Sequence, residues 1–432
     1  MNVPPQDQPW FFKLHWQVVI AMIAGSMLGL WGGPGLVRYY NWIGLWFVRI
    51  LGVVVVPLVV SAIVVGVARL GNPELIRRLG LKTLLYYLST AALAIVTALV
   101  MVNLIHPGEG VALDDFVQGG PWGYKTTVKE IVLEILPFVR TSGGKLGLTG
   151  EGNSTIFGAI FIAFAFGVGL ASLKAKRRNV VMIVFDGLFE ILMKIVDILV
   201  RLAPLAVLSL IASLLARTGS WIIIPLAGYM GTVAAGLGFH FFVTIPAIIF
   251  LFARRNPFVY FRMVQDAPAT AFATASSNAA LPVTMQVAEV NAGIDTRITG
   301  FVLPLGAMVN LDGAALYEGV AALFIAQAYG FEFGFSEQLL IMLTAVVTSI
   351  GAAGIPHASL VMLAIVFHAV GLPLEAIGIL FAVDRILDMW RTATNVWSDL
   401  GAAAVVAASE PGGVVDAGTD REWTGEHDLK DR

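Results

Sequence analysis

The chain is 432 residues long, 58% hydrophobic and only 13% charged, with a mean hydropathy of +0.83. Soluble globular chains run nearer to about half apolar and a quarter charged, so this composition belongs to an integral membrane protein. A formal charge of −2 speaks against a nucleic-acid partner, and the absence of cysteine excludes disulfides and thiolate metal sites.

Apolar runs of about 20 residues recur along the chain, which is the pattern of helical spans and not of a transmembrane barrel. In chain order the expected spans are 11–31, 43–68, 83–105, one within 128–173, 180–213, 221–253, 297–328 and 376–408. The first run, Trp16 to Trp31, has no small-residue cleavage site after it and reads as a membrane helix rather than a removed signal. Basic clusters at Arg69, Arg77, Arg78 and Lys82, at Lys174, Lys176, Arg177 and Arg178, and at Arg254 and Arg255 are expected on the cytoplasmic side. The loop His106 to Lys125 is then external and both termini are cytoplasmic. Residues 409–432 are polar and Gly-rich and read as a disordered tail.

Two segments, 258–292 and 336–371, are apolar but broken in the middle. The breaks are "TASSNAALP", Thr274 to Pro282, and "SIGAAGIPHAS", Ser349 to Ser359. Each half is too short to cross the hydrocarbon core alone, so each segment reads as a re-entrant helical hairpin whose tip is buried in protein. The alternative is an ordinary loop between two spans, but neither break carries a charge. Paired, interrupted segments of this kind point to a transporter site.

The chemistry is concentrated in "DRILDMWRTATNVWSD", Asp384 to Asp399. A charged residue at the centre of a membrane helix costs about 2.5–3.5 kcal/mol on insertion scales, so Asp384, Arg385, Asp388, Arg391 and Asp399 must face a polar interior. Asp388, Arg391, Thr392, Asn395 and Asp399 follow one helical face. That face offers carboxylates for an ammonium or a metal cation and a guanidinium fork for a carboxylate, and a zwitterion with an extra acid group would satisfy all of these. A salt-bridge ladder that only fixes helix packing is the alternative.

In "VNLDGAALYEG", Val309 to Gly319, Asn310 and Asp312 lie two apart, so a regular helix would point them in different directions. Gly306 and Gly313 bracket them, and a local unwinding there would free carbonyls, beside the Asp312 carboxylate, for a small hard cation. Glu318 further on is a candidate proton carrier or an ion-pair partner of Arg391 or Arg385.

These motifs together resemble the glutamate transporter family, the dicarboxylate/amino acid:cation symporters. The hairpin "ASSNAALPVTM", the span "NLDGAALYEGVAALFIAQ", the hairpin "GAAGIPHASLVML" and "DRILDMWRTATNVWSDL" stand in the family's order, and the resemblance runs to about residue 410. It implies an all-α polytopic membrane protein with eight transmembrane helices, two re-entrant hairpins, inverted repeats, an elevator mechanism and a homotrimer in a prokaryotic inner membrane. Residues 1–82 and 106–215 would be scaffold helices, and 83–105 and 216–408 the transport domain.

The implied substrate is an acidic amino acid, with a C4-dicarboxylate as the rival. By position, Ser276, Ser277 and Gly354 resemble hairpin contacts to substrate, Asp388 the holder of its ammonium and Arg391 that of its side-chain carboxylate. Thr392 and Asn395 complete the pocket. Na⁺ ligands are implied at three places: Gly306, Asn310, Asn395 and Asp399; then Asp312, Asn310, Tyr87 and Thr90; then backbone oxygens around Met308, Ser349, Ile350 and Ala352.

The chain departs from the family pattern at Leu311 and Ala314 ("NLDGA" for "NMDGT"), at Met308, Ala91, Asn278, Ala275 and Met389, and at His357 and Ser359 of the second hairpin. These departures leave H⁺ coupling through Glu318 open beside Na⁺ coupling. His357, an imidazole at a gate, reads as a pH sensor or as a neutral cap of the tip. No cofactor and no catalytic residue are implied. A membrane-embedded hydrolase using Ser276 or Ser277 is a reading of another class, and it lacks the motif context of an activated nucleophile.

Overall fold

The computed structural model describes residues 14–69, 79–111, 141–142, 145–146, 155–349, 358–373, 376–381 and 383–414. The described chain is helical. A two-residue antiparallel ladder pairs Thr141–Ser142 with Lys145–Leu146, and Ile294 makes a single bridge to Val414. The helices are α1 (Leu14–Gly32), α2 (Pro34–Arg69), α3 (Leu81–Ile105), α4 (Thr155–Ala171), α5 (Ala175–Thr218) and α6 (Ile223–Phe239). Then follow α7 (Pro257–Val264), α8 (Asp266–Thr274), α9 (Ser277–Gln286), α10 (Thr296–Val309), α11 (Asp312–Ala328), α12 (Phe335–Ser349), α13 (Ala358–Ala369), α14 (Ile377–Phe381) and α15 (Asp384–Ala408). Leu81–Ile105, Arg201–Thr218, Ser220–Ala253 and Thr296–Ala328 are each long and apolar enough to cross a bilayer.

α1, α2, α4 and α5 pack mainly on one another, with the short α14 against α5 and α2, whereas α3, α6 and α8 to α13 gather around α11 and α15. α11 is buried on every side. Its small residues make that possible: a Cβ on Gly319 would meet the Ala98 methyl of α3 at 3.2 Å. α15 is anchored by Trp397, whose ring packs against Phe241, Tyr260 and Phe261, while the Tyr260 hydroxyl donates to the Leu400 carbonyl at 2.8 Å.

Three irregularities position the site. Between α8 and α9, Ala275 adopts a left-handed backbone (φ +50°), a conformation that a Cβ disfavours by about 1–2 kcal/mol. It reverses the chain so that both arms pack on α15. Between α10 and α11, Asn310 and Leu311 leave helical geometry at φ −100°, ψ 83° and φ −113°, ψ 59°, so the run 297–328 is two helices and not one.

The third irregularity lies beyond α6. His240–Thr244 and Ile249–Ala253 are wide, π-type turns, joined by the helical residues Ile245–Ile248. Pro246 has no N–H to give, and its ring crowds the carbonyl one turn back, so the ladder widens before it. The Ile245 N–H reaches back to the His240 carbonyl, which leaves the Phe241 carbonyl for the indole N–H of Trp397, 3.1 Å away.

The apolar interior forms two clusters. Four elements pass from one to the other, and each does so at a polar residue. α3 carries Tyr87 in one cluster and Ala94 in the other, with Thr90 between. The α6 run changes cluster between Leu237 and Ile245, around His240; the broken helix between Val309 and Leu311, at Asn310; and α15 between Leu387 and Val396, around Arg391. The polar groups line the seam.

The described chain continues past α15. Lys82 of α3 donates to the Ser409 carbonyl at 2.9 Å and pairs with Glu410 at 2.7 Å. Asp295 N–H donates to the Gly413 carbonyl at 3.0 Å. Residues 409–414, expected to open the disordered tail, are therefore packed against the rest of the chain, while 415–432 lie outside the described residues. So do Ile350, Ala352, Gly354 and His357 of the second hairpin.

Candidate functional site

α15 carries two clusters on one face. Asp388, Arg391, Thr392, Asn395 and Asp399 are all buried, as the helical spacing requires. In the first cluster the Arg391 guanidinium, 1% exposed, donates from Nη2 to Asp388 Oδ1 at 2.9 Å and stands at ion-pair distance, 2.8 Å, from Asp384 Oδ1. Its carbon sits 3.9 Å from the centre of the Tyr317 ring on α11, a cation–π contact. Arg385 lies 3.7 Å from the other oxygen of Asp388. The Thr392 hydroxyl is turned back onto the Asp388 carbonyl at 2.7 Å.

Two donors of Arg391, Nε and Nη1, are buried without a hydrogen-bond partner among the described residues. A buried charged donor left unmade is costly, so such groups mark the place of a ligand. The guanidinium is thus half-engaged: one nitrogen is fixed, and the other two have no hydrogen-bond partner among the described residues. The Ser277 hydroxyl at the tip of the first hairpin is also buried without a partner among the described residues. Its neighbour Ser276 is extended and caps α9, its hydroxyl accepting from Ala279 N–H at 3.2 Å. The α9 N-terminus, a favourable place for an anion, is thus at that tip.

The second cluster is built of oxygens. Asn310 donates from Nδ2 to Asp399 Oδ1 at 2.8 Å and to Ser398 Oγ at 3.1 Å, which uses both amide hydrogens and leaves Oδ1 as an acceptor. The Ser398 hydroxyl donates in turn to Asp312 Oδ2 at 2.5 Å. Thr90 Oγ1 stands 3.2 Å from Asp312 Oδ1 and 3.5 Å from Asn310 Oδ1. His240 Nε2 stands 3.3 Å from Asp312 Oδ2. Asn395 Oδ1 accepts the Gly313 N–H at 2.7 Å, one of the amides left over where α11 begins. Tyr87 donates to the Val302 carbonyl at 2.8 Å.

Glycine is required twice here. A Cβ on Gly306 would collide with the Asp399 carboxylate and the Tyr87 hydroxyl, and one on Gly313 with the Arg391 backbone.

Asp312 and Asp399 are 0% and 2% exposed, and among the described residues neither has a lysine or arginine at ion-pair distance. Two carboxylates joined through Asn310 and Ser398 need either a proton or compensating positive charge, because uncompensated charge is not stable in a low dielectric. Among the described residues no three His, Asp or Glu side chains are grouped to hold a metal ion. The donors are instead hydroxyl, amide and carboxylate oxygens, a set that suits a hard cation.

The structure thus brings together Tyr87, Thr90, Gly306, Asn310, Asp312 and Asp399, and separately Asp388, Arg391 and Thr392, with Asn395 joining the two. Glu318 is fully buried on α11, next to Tyr317. Met308 is half-buried and packs against both apolar clusters, and Ser349 is the last residue of α12. The sequence reading missed His240, Ser398 and Tyr317. A lone histidine in an apolar run, six residues before Pro246, was the available signal for the first.

A helical membrane protein with buried charge gathered around interrupted helices has the build of a secondary transporter. Comparison with known proteins agrees. The profile of the sodium:dicarboxylate symporter family matches residues 14–409, and the chain belongs to that family. It is similar to the proton/sodium-glutamate symport protein of Geobacillus stearothermophilus, 34% identical over 92% of this chain and 94% of that one. It is 33% identical to the proton/glutamate-aspartate symporter of Escherichia coli K12, over 92% and 93% of the two chains. Human excitatory amino acid transporter 3 is 33% identical over 92% of this chain and 86% of its own. The protein is a membrane transporter and not an enzyme, which removes the hydrolase reading of Ser276 and Ser277.

Proposed function

We propose that the protein is a secondary active symporter of aspartate and glutamate, driven by a cation gradient. The observation that carries this reading is the buried, half-engaged guanidinium of Arg391 beside Asp388. A dicarboxylic amino acid complements this pair: its side-chain carboxylate meets the remaining guanidinium donors, and its ammonium meets the Asp388 carboxylate. Its α-carboxylate goes to Ser276, Ser277 and the α9 N-terminus, with Thr392, Asn395 and Gly354 closing the pocket. The names of the three relatives, all amino-acid or glutamate transporters, support the same class.

The cations go to the oxygen cluster: Na⁺ at Asp312 with Asn310, Tyr87 and Thr90, and at Asp399 with Gly306, Asn310 and Asn395. Backbone oxygens of Met308, Ser349, Ile350 and Ala352 form a third position. Glu318 is the proton carrier where H⁺ drives uptake. The moving part is 83–105 with 216–408, re-entrant at 258–292 and 336–371, sliding against a trimeric scaffold of 1–82 and 106–215 in a prokaryotic inner membrane.

The test is uptake of labelled aspartate and glutamate into proteoliposomes, with an inward Na⁺ gradient in one set and an inward H⁺ gradient without Na⁺ in the other. Accumulation in the Na⁺ set assigns the drive to the oxygen cluster. Accumulation with H⁺ alone moves it to Glu318. Failure of both sets, or competition by succinate as strong as by aspartate, rejects the amino-acid reading in favour of a plain C4-dicarboxylate or another substrate.

A further inference from the structure

His240 is the first residue of the wide turn ahead of Pro246, and it is fully buried. Its Nε2 faces Asp312 Oδ2 at 3.3 Å, and its Nδ1 has no hydrogen-bond partner among the described residues. An imidazolium would need partners for both N–H groups. A neutral ring with hydrogen on Nε2 leaves only a weak acceptor unmade, so the surroundings select that tautomer. Such a ring directs a donor at Asp312 without cancelling its negative charge.

The consequence follows from the sharing of oxygens. Asp312 Oδ2 takes two donors, Nε2–H of His240 and the hydroxyl of Ser398. They come from two elements, the α6 run and α15, and the Trp397 indole ties those elements together one residue from each donor. With Oδ2 held from both sides the carboxylate has one rotamer, and Oδ1 is the oxygen turned toward Thr90 and Asn310.

We propose that His240 is a positioning residue for the cation site, a neutral donor that fixes Asp312 so that Oδ1 is presented with Thr90 and Asn310 to an alkali cation. This rests on the reading of Asp312 as a cation ligand. The outer partners of ligating groups typically change affinity by about 10–100-fold when removed, and His240 is expected to act in that range.

The experiment uses the purified full-length protein without substrate. The rise in melting temperature is followed as NaCl replaces choline chloride at constant ionic strength, and repeated with LiCl. His240→Phe keeps a ring and removes the donor; His240→Gln keeps an N–H within reach. The half-saturating Na⁺ concentration is expected to rise about tenfold or more in H240F, with an altered Na⁺ to Li⁺ ratio, and to stay within about threefold of wild type in H240Q. An unchanged Na⁺ response in H240F, or equal impairment in both variants, would overturn the proposal, since equal impairment means that the ring only fills space. Should H240F not fold, His240→Leu removes the same donor with less bulk, and a wild-type Na⁺ response there overturns the proposal equally. Asp312→Asn separates the two readings. A Na⁺ response that survives in D312N removes the cation reading of Asp312 and this proposal with it, whereas a response lost in D312N but intact in H240F removes this proposal alone.

Discussion

At the scale of single residues, Asp388 and Arg391 make separable claims. Asp388→Asn keeps the shape of the side chain and removes the charge meant for an ammonium. Hydrogen bonds to charged groups are worth about 1.5–3 kcal/mol, so aspartate affinity should fall by about one to two orders of magnitude. Succinate, which has no ammonium, should lose far less in the same competition assay; equal losses would sink the assignment. Arg391→Lys keeps a positive charge between Asp384 and Asp388, so the protein should fold, but it gives up the fork and the stacking on Tyr317. Uptake of acidic substrate should drop at least about tenfold at normal expression, since one such hydrogen bond is worth that much. These residues were legible because charge is conspicuous in an apolar span and helical spacing fixes which charges share a face. Ser398, Tyr317 and His240 were not. A serine, a tyrosine and one histidine are ordinary in membrane helices, and their roles come from neighbours far away in the chain.

At the scale of elements, the interruptions explain most of what the sequence could reveal. The break at Thr274 to Pro282 and the unwinding at Asn310 were readable from small residues and from the two-residue spacing of Asn310 and Asp312. The wide turn at His240–Thr244 was not, because Pro246 signals a disturbed ladder without saying whether the helix kinks or widens. The close approach of α10 to α15 and α3 at Gly306 gives a direct test. Gly306→Ala should destabilise the protein by about 1–3 kcal/mol, the usual range for overpacking, and abolish any Na⁺-dependent thermal shift. A wild-type melting curve would show that the contact is looser than described.

Outside the spans, Asp295 caps α10. The Arg297 side chain, and then the Arg297 backbone N–H, hold its carboxyl below the usual carboxylate range. A depressed folded-state value means that this stabilisation is complete above the unfolded value of about 3.9 and is lost as pH falls through the folded one. Asp295→Asn should therefore melt lower than wild type at pH 6, with the difference closing as the pH drops below about 4. A difference that grows toward low pH would contradict the pairing.

For the whole molecule, the helical membrane class followed from composition alone, while the arrangement of helices did not. No local pattern says that α11 and α15 lie at the centre or that two apolar clusters meet along a polar seam; that comes from which long-range packings can all be satisfied together. The outer faces of α1, α2 and α5 carry large exposed apolar side chains, among them Trp31, Trp42, Trp46, Ile183 and Ile198. Lipid or another protein surface must cover them. If the scaffold trimerises, native mass spectrometry from nanodiscs should give three copies of the 46.2 kDa chain. A monomer that transports at full rate would remove the trimer from the mechanism.

The rod-like α15 has a last consequence. Arg391 and Asp399 sit eight residues apart on it, which is about 12 Å along the axis, with Asn395 halfway. Any slip, rotation or insertion in that segment displaces both clusters by the same amount. If the two clusters hold substrate and cation as proposed, a lineage of such proteins cannot retune its fuel independently of its freight by remodelling this helix. It must alter the elements that face it, such as the α6 run and the interrupted α10–α11 pair, and these are where divergence in driving ion should accumulate.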